Sequence, residues 1–183
     1  YFSDNSDMHG DKDKAGELLD SAGWALNADG KREKDGQVLS ITLVAYPHRP
    51  GLVIMQPVIA ESLSALGITV ETIVTGQEWG ETQTILDERT FDLMLWAQHT
   101  LPAGDPLWFL NTFFRSDGGS NHAGLTSDAV DGHLDSLSLA EEHNERVALS
   151  QVAQKAILDE VPVSNLVTPF WHVGLSDRMA DYE

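Results

Sequence analysis

Residues able to do chemistry are plentiful in this chain, but few stand at the spacings that chemistry requires. The seven histidines show neither H-x-x-x-H nor H-E-x-x-H, the patterns that place two metal ligands on one helix face. No G-x-S-x-G turn presents a nucleophilic serine, and the absence of cysteine excludes thiolate chemistry and disulfides. The stretch "GGSNHAG" lacks the Lys-Ser/Thr pair of a phosphate-binding P-loop. We therefore predict no catalytic residue, no metal site and no cofactor.

Aromatic and polar side chains instead concentrate in one stretch, "LMLWAQHTLPAGDPLWFLNTFF", residues 93–114. It reads as a buried strand, a short loop with two prolines and a glycine, and a helix that begins at Asp105-Pro106. Open α/β sheets bind ligands at the carboxyl ends of their strands, where such loops lie. Trp96 stands at this strand end, and its position is equally consistent with a cleft wall and with the core.

The elements that would position this loop follow one another as β-α-β-α-β. The stretches "VLSITLVAYP" and "FDLMLWAQHT" predict buried strands, and "ITVETIVTG" between them predicts a further strand. One helix is predicted over 52–66, where Pro57 either lies in the first turn or bends it, and another over "QEWGETQTILDER". Short links and right-handed crossovers favour an α/β fold with a mostly parallel sheet flanked by helices.

Further helices are predicted on both sides of this unit. "DKDKAGELLDSAGW" predicts a helix that ends before Gly23, and "NADGKREKDGQ" predicts a loop or small hairpin. A later helix should be capped by Ser127 or Asp128, and a longer one should end before Pro162, followed by the extended segment "NLVTPFWHVGL". In the first of these helices, the residues at helical spacing are Ala15, Leu18, Leu19 and Ala22. The residues that the longer helix should bury are Leu149, Val152, Ala153, Ala156 and Ile157.

Composition narrows the classes of partner. The formal net charge is −18, from 29 acidic and 11 basic residues, and the basic residues form no stripe. Such a surface repels phosphate backbones, so nucleic acid and anionic membranes are poor candidate partners, and we expect no nucleic-acid binding. The first residues, "YFSDNSDMHG", are unlike a signal peptide and suggest a fragment of a longer protein.

Six stretches, taken in order, resemble the C-terminal lobe of the family 5 solute-binding proteins of bacterial peptide and nickel ABC importers. They are "DKAGELLDSAGW", "DGKREKDGQVLSITLVAY", "IAESLSALGITVE", "FDLMLWAQHT…GDPLWFLNTFF", "SNHAGLTSDAVDGHLDSL" and "ERVALSQVAQKAILDEVPVSNLV". The resemblance implies that residues 1–183 are a single ligand-binding lobe of type II periplasmic-binding-protein-like fold. It also implies an N-terminal lobe of the same protein and a membrane permease as partners. The expected location is periplasmic or extracellular, including lipid anchoring at the cell surface.

The loop departs from both ligand patterns of the family. In the family's peptide binders an Asp shortly before the "[D/E]P" pair anchors the α-amine of the peptide, and its ungapped counterpart here is Pro102. Asp105 is expected to cap the following helix instead. Nickel binders present two aromatics in this loop, where Thr100 and Gly104 stand. The ligand therefore stays open among a short peptide, a metal–chelator complex and another small polar nutrient.

The resemblance and the strand ends together give a set of expected ligand contacts. The residues are Trp96, His99, Thr100 and Pro102, then Tyr46 and His48 at the first strand end, and Asn121 or His122 in the glycine-rich loop. Two other classes stay open. A doubly wound α/β enzyme would need catalytic groups converging at the strand ends, and a protein-interaction module would need a large exposed apolar patch.

Overall fold

The computed structural model describes residues 10–168 together with Ser176 and Arg178. Its helices are α1 (Lys12–Ser21), α2 (Pro50–Ser64), α3 (Trp79–Glu88), α4 (Leu107–Phe114), α5 (Asp128–Leu139) and α6 (His143–Asp159). Its strands are β1 (Ala25–Leu26), β2 (Arg32–Lys34), β3 (Gln37–Val38), β4 (Ser40–Ala45), β5 (Thr69–Val74) and β6 (Leu93–Met94). None of the helices in these ranges is long and apolar enough to cross a membrane. Most of the predicted extended segment 165–175 lies outside the described residues, and 165–168 forms neither helix nor strand.

The central sheet is parallel, with strand order β5-β4-β6, and confirms the predicted α/β class. Strand β4 pairs along its whole length with β5, whereas β6 adds only two pairs, Leu43 with Leu93 and Val44 with Met94. The strand predicted over 91–100 is therefore much shorter than expected. It lies at the sheet edge with Leu93 42% exposed, so it is not buried on both faces. A hydrogen bond from the Leu95 amide to the Val44 carbonyl (2.8 Å) extends the pairing of β6 with β4 by one residue, toward the loop that follows Trp96.

Helix α2 begins at Pro50 and packs on β4 and β5. Pro57 therefore lies inside the helix and not in its first turn. Gln56 points inward, only 4% exposed, and its side-chain amide donates to the carbonyls of Leu43 and Ile73, both at 2.9 Å. Because these carbonyls belong to neighbouring strands, Gln56 ties the helix to both. The buried residues of this core are Leu43, Ala45, Tyr46, Leu52 and Leu95.

A second core lies between α4, α5 and α6. Its buried members are Leu110, Phe114, Val130, Leu134, Leu137, Ala153 and Ile157. Ser127 caps α5 by accepting the Val130 amide, one of the two predicted caps. In α6 the predicted burial of Val152 is wrong, since its side chain is 46% exposed. The stripe that faces the core runs through Ser150, Ala153 and Ile157, and Val152 lies one residue off that stripe.

The N-terminal part is an antiparallel sheet of order β1-β2-β3 with α1 beside it, so of the two predicted alternatives, a loop or a small hairpin, the hairpin is the one that forms. Arg32 of β2 is 4% exposed, forms an ion pair with Asp20 and donates to the carbonyls of Trp24 and Leu66, both at 2.9 Å. Gly23 follows the end of α1 with φ +87°, the left-handed conformation expected of a terminating glycine. Leu18 does not join a core and is 59% exposed.

Candidate ligand-binding site

Tyr46 and Trp96 meet at the carboxyl ends of β4 and β6. Val44 and Met94 are register partners, and each ring belongs to the residue two positions further along. Because side chains alternate along strands, Tyr46 and Trp96 lie on the same face. Their ring centroids are 5.4 Å apart. The sequence placed Trp96 at a strand end, and the register explains how it reaches the end of the neighbouring strand.

Trp79, at the start of α3, packs against both Tyr46 and Trp96. Its ring lies edge-on to Tyr46 at 5.5 Å and to Trp96 at 6.1 Å, and His48 lies 5.8 Å from it. Trp79 was not among the expected contacts, because "QEWGETQTILDER" reads only as a helix with a solvated face. We call Tyr46, His48, Trp79, Trp96 and His122 the aromatic cluster.

The start of α3 is held in place by two local bonds. The buried hydroxyls of Thr75 and Thr82 are 2.8 Å apart, and the Glu81 carboxylate accepts the Gly76 amide at 2.6 Å. These bonds join the end of β5 to the first turns of the helix. They fix the helix start that carries Trp79.

Members of the aromatic cluster differ in exposure. Tyr46 is 4% exposed, and its hydroxyl accepts the Ala97 amide at 3.2 Å. It is therefore the buried floor of the aromatic cluster. Trp79 is 40% exposed, His48 is exposed and Trp96 is half-buried. Aromatic rings with open faces stack on flat or apolar ligand groups, and their polar edges fix orientation. The cluster can therefore bind a solute non-covalently, through stacking and hydrogen bonds.

The glycine-rich loop contributes His122 to the cluster, with its ring 5.6 Å from that of Trp96. Burial of the imidazole, together with the nearby Arg89 guanidinium, lowers the pKa of His122, while Asp87 acts in the opposite direction. Burial and Arg89 therefore both favour the neutral imidazole at this edge of the cluster. It can donate one hydrogen bond and accept another.

Asn121 has a different role from the one expected. Its side chain is buried, and its amide nitrogen donates to the carbonyls of Leu125 (2.7 Å), Arg115 (3.1 Å) and Ser116 (3.4 Å). Its amide oxygen accepts the Leu125 backbone amide at 3.0 Å. These bonds lie within the loop, so the side chain of Asn121 holds the loop conformation. Its neighbour His122 is the residue that reaches the cluster.

The remaining expected residues lie on the loop after Trp96. His99, Thr100 and Pro102 are all exposed. The Trp96 indole nitrogen donates to the Gln98 side-chain oxygen at 3.3 Å, which orients the start of this loop. The structure therefore brings Tyr46, His48, Trp96 and His122 together and leaves His99, Thr100 and Pro102 at an exposed edge.

Asp105 closes the loop by two interactions. One carboxylate oxygen accepts the Leu107 amide at 2.9 Å, which supports the predicted role at the start of α4, although the helix begins one residue later than expected. The other oxygen accepts from the Arg146 guanidinium at 2.8 and 2.9 Å. Arg146 also donates to the carbonyls of Leu137 and Ala140, so the loop is tied to α6 and to the end of α5. In the part of the chain that the structure describes, no three His, Asp or Glu side chains form a group that could hold a metal ion.

Comparisons with known proteins identify the family of this chain. Residues 1–121 match the family model for bacterial extracellular solute-binding proteins, family 5 middle region. Protein XP55 of Streptomyces lividans is 32% identical over 169 residues, which are 90% of this chain and 30% of that protein. The oligopeptide-binding protein AppA of Bacillus subtilis is 24% identical over 176 residues, 93% of this chain and 31% of that protein. The chain thus spans about a third of the length of these relatives.

Solved structures of the same class share the fold. The nickel ABC transporter protein of Bacillus halodurans superposes with a TM-score of 0.71 at 24% identity, over 88% of this chain and 32% of that one. This likeness places the chain in the type II periplasmic-binding-protein fold. Because the family model covers well over half of the chain, the alternative of an unrelated enzyme domain is set aside. The chain belongs to the family 5 bacterial extracellular solute-binding proteins.

Proposed function

We propose that residues 1–183 are the C-terminal lobe of a two-lobed receptor that captures a small polar solute and delivers it to an ABC permease. Capture is by closure of this lobe and an N-terminal lobe around the ligand, outside the cytoplasm. Family membership supports the importer role, and the chain's span of about a third of its relatives supports the role of one lobe.

The observation that carries the proposal is the aromatic cluster at the carboxyl ends of β4 and β6. Tyr46 supports the rings of Trp79 and Trp96 from below, and His48 and His122 stand at their edges. A ligand stacks on the indole rings and makes hydrogen bonds to the imidazoles. His99, Thr100 and Pro102 are proposed as the outer edge of the same site.

The class of ligand is proposed from the same residues. AppA is by name an oligopeptide-binding protein, and the Bacillus halodurans structure is of a nickel transporter. Pro102 offers no carboxylate for a peptide amine, and a bare ion needs several side-chain ligands. We favour an organic solute that presents flat or apolar groups to the rings, which a peptide side chain and a metal chelate both satisfy.

Ligand titration of the full-length protein tests this proposal. Tryptophan fluorescence is followed while peptides of two to five residues, or Ni²⁺ with excess L-histidine, are added. Trp96→Ala and Trp79→Ala should each weaken binding at least tenfold, because loss of a buried ring contact costs about 1.5 kcal/mol or more. Trp24→Phe is the matched control, because Trp24 lies beside β1, where its ring contacts Lys34. Equal affinity in all three variants would contradict the site.

A further inference from the structure

Arg89 occupies a backbone position that normally takes another residue type. It follows the last residue of α3 with φ 51° and ψ 44°, the left-handed conformation. Glycine is the usual residue there, since a Cβ crowds the following carbonyl oxygen, and asparagine is the common alternative because its short polar side chain can hydrogen-bond locally. Residues that break a local rule in this way usually have a role elsewhere in the structure.

The side chain of Arg89 reaches the glycine-rich loop. One guanidinium nitrogen donates to the Asn121 carbonyl at 3.3 Å. Another lies over Gly124, where an added Cβ would stand 2.6 Å from it. The guanidinium therefore covers the turn 121–124 at both ends. Gly124 itself has φ +69° and leaves the space that the guanidinium fills.

His122 lies inside this turn and packs on Trp96, with ring centroids 5.6 Å apart. The charged groups that act on its imidazole are Asp87, in the last turn of α3, and Arg89, the residue that follows the helix. Arg89 disfavours the imidazolium by repulsion, and burial disfavours it further. The same guanidinium thus holds the turn and opposes a positive charge on the ring within it.

We infer that Arg89 is a positioning residue that fixes the turn 121–124 on the end of α3, so that the His122 ring packs against Trp96. Protonation of His122 under acid conditions places two cations side by side and loosens this packing. The edge of the aromatic cluster then changes from a neutral hydrogen-bonding group to a positive charge. This inference rests on the proposed function only where it treats Trp96 as part of a ligand site.

Histidine NMR of the 183-residue chain tests the inference without any ligand, so its failure is separate from failure of the proposed function. The His122 imidazole signal is assigned by its loss in His122→Gln, and its titration is followed in the wild type, Arg89→Asn and Arg89→Lys. Asparagine tolerates the left-handed backbone, but it is uncharged and its side chain is too short to contact the turn 121–124. Lysine keeps the positive charge. A nuclear Overhauser contact between His122 and Trp96 provides a readout that does not depend on charge.

We expect the His122 titration to move to higher pH in Arg89→Asn and to stay close to the wild type in Arg89→Lys. We also expect the His122–Trp96 contact to weaken in Arg89→Asn, and to weaken in the wild type once His122 is protonated. An Arg89→Asn variant with an unchanged titration and an unchanged contact would overturn the inference. So would a wild-type His122 that titrates above a free histidine.

Discussion

Replacing Asp105 by alanine should destabilise the chain more than any exposed ion-pair substitution. The carboxylate supports the start of α4 through the Leu107 amide and pairs with Arg146 through its other oxygen. Both side chains of the pair are largely buried, at 26% exposed for Asp105 and 19% for Arg146. The substitution therefore removes a helix-start acceptor and leaves a cation of low exposure without its carboxylate.

The magnitude follows from these two losses. Removal of an acceptor at a helix start costs about 1 kcal/mol. Breaking a fully buried ion pair costs about 3–5 kcal/mol, and solvent screening of this partly exposed pair reduces that to about 2. We expect a total of about 3 kcal/mol. Asp105→Asn keeps an oxygen for the Leu107 amide and should therefore recover about 1 kcal/mol of that loss.

Urea unfolding followed by circular dichroism measures the effect. With an m-value of about 2 kcal/mol/M, the midpoint should fall by about 1.5 M in Asp105→Ala. The matched control is Asp159→Ala, which breaks an exposed pair with Lys155 on α6, where the two side chains are 64% and 73% exposed. That control should change stability by less than about 0.5 kcal/mol. If Asp105→Ala shifted the midpoint no more than Asp159→Ala, the reasoning on this pair would be refuted.

Three further predictions concern the stability that Asn121 gives to the glycine-rich loop, the pH dependence of unfolding, and the ligand affinity of the isolated chain. Asn121→Ala should lower stability by roughly 2 kcal/mol in thermal unfolding, because a buried amide loses its loop bonds, whereas the exposed Gln98→Ala should change it little. The pKa of His122 is lowered in the folded state, so the unfolded chain binds more protons below about pH 6.5, and stability should rise as pH rises toward that value. His122→Gln should remove that part of the pH dependence when urea midpoints are compared between pH 5 and 8; an unchanged slope would count against it. The isolated chain should bind a ligand that the full protein holds at micromolar Kd only at about millimolar Kd, since one lobe keeps roughly half of the −8 kcal/mol; nanomolar calorimetric binding would contradict this.

Much of the fold is predictable because hydrophobic periodicity and local capping determine it. The pattern of β4 and β5, the cap at Ser127 and the stop at Gly23 are each set by a few neighbouring residues. Val152 was misplaced because several apolar residues of α6 fit more than one helical stripe, and tertiary packing chooses among them. The length of β6 depends on which strand it joins, and an edge position allows it to end after two residues.

The site is less predictable, because its members come from elements far apart in the chain. Tyr46 and Trp96 were expected from their strand ends, since parallel strands bring these ends together. Trp79 was missed because nothing local shows that the start of α3 lies over Tyr46. A tryptophan at the first turn of a helix that follows a parallel strand is a signal that could have found it. Asn121 and His122 are neighbours, and only the loop conformation decides which one faces the cluster.

Native mass spectrometry of the full-length protein, purified from its host without refolding, tests the central claim most directly. The account predicts a small organic ligand retained by the folded protein and released on denaturation. It also predicts loss of that ligand in Trp96→Ala and its retention in the control Trp24→Phe. A protein that carries no ligand, and that binds neither peptides nor nickel–histidine complexes on addition, would contradict the account.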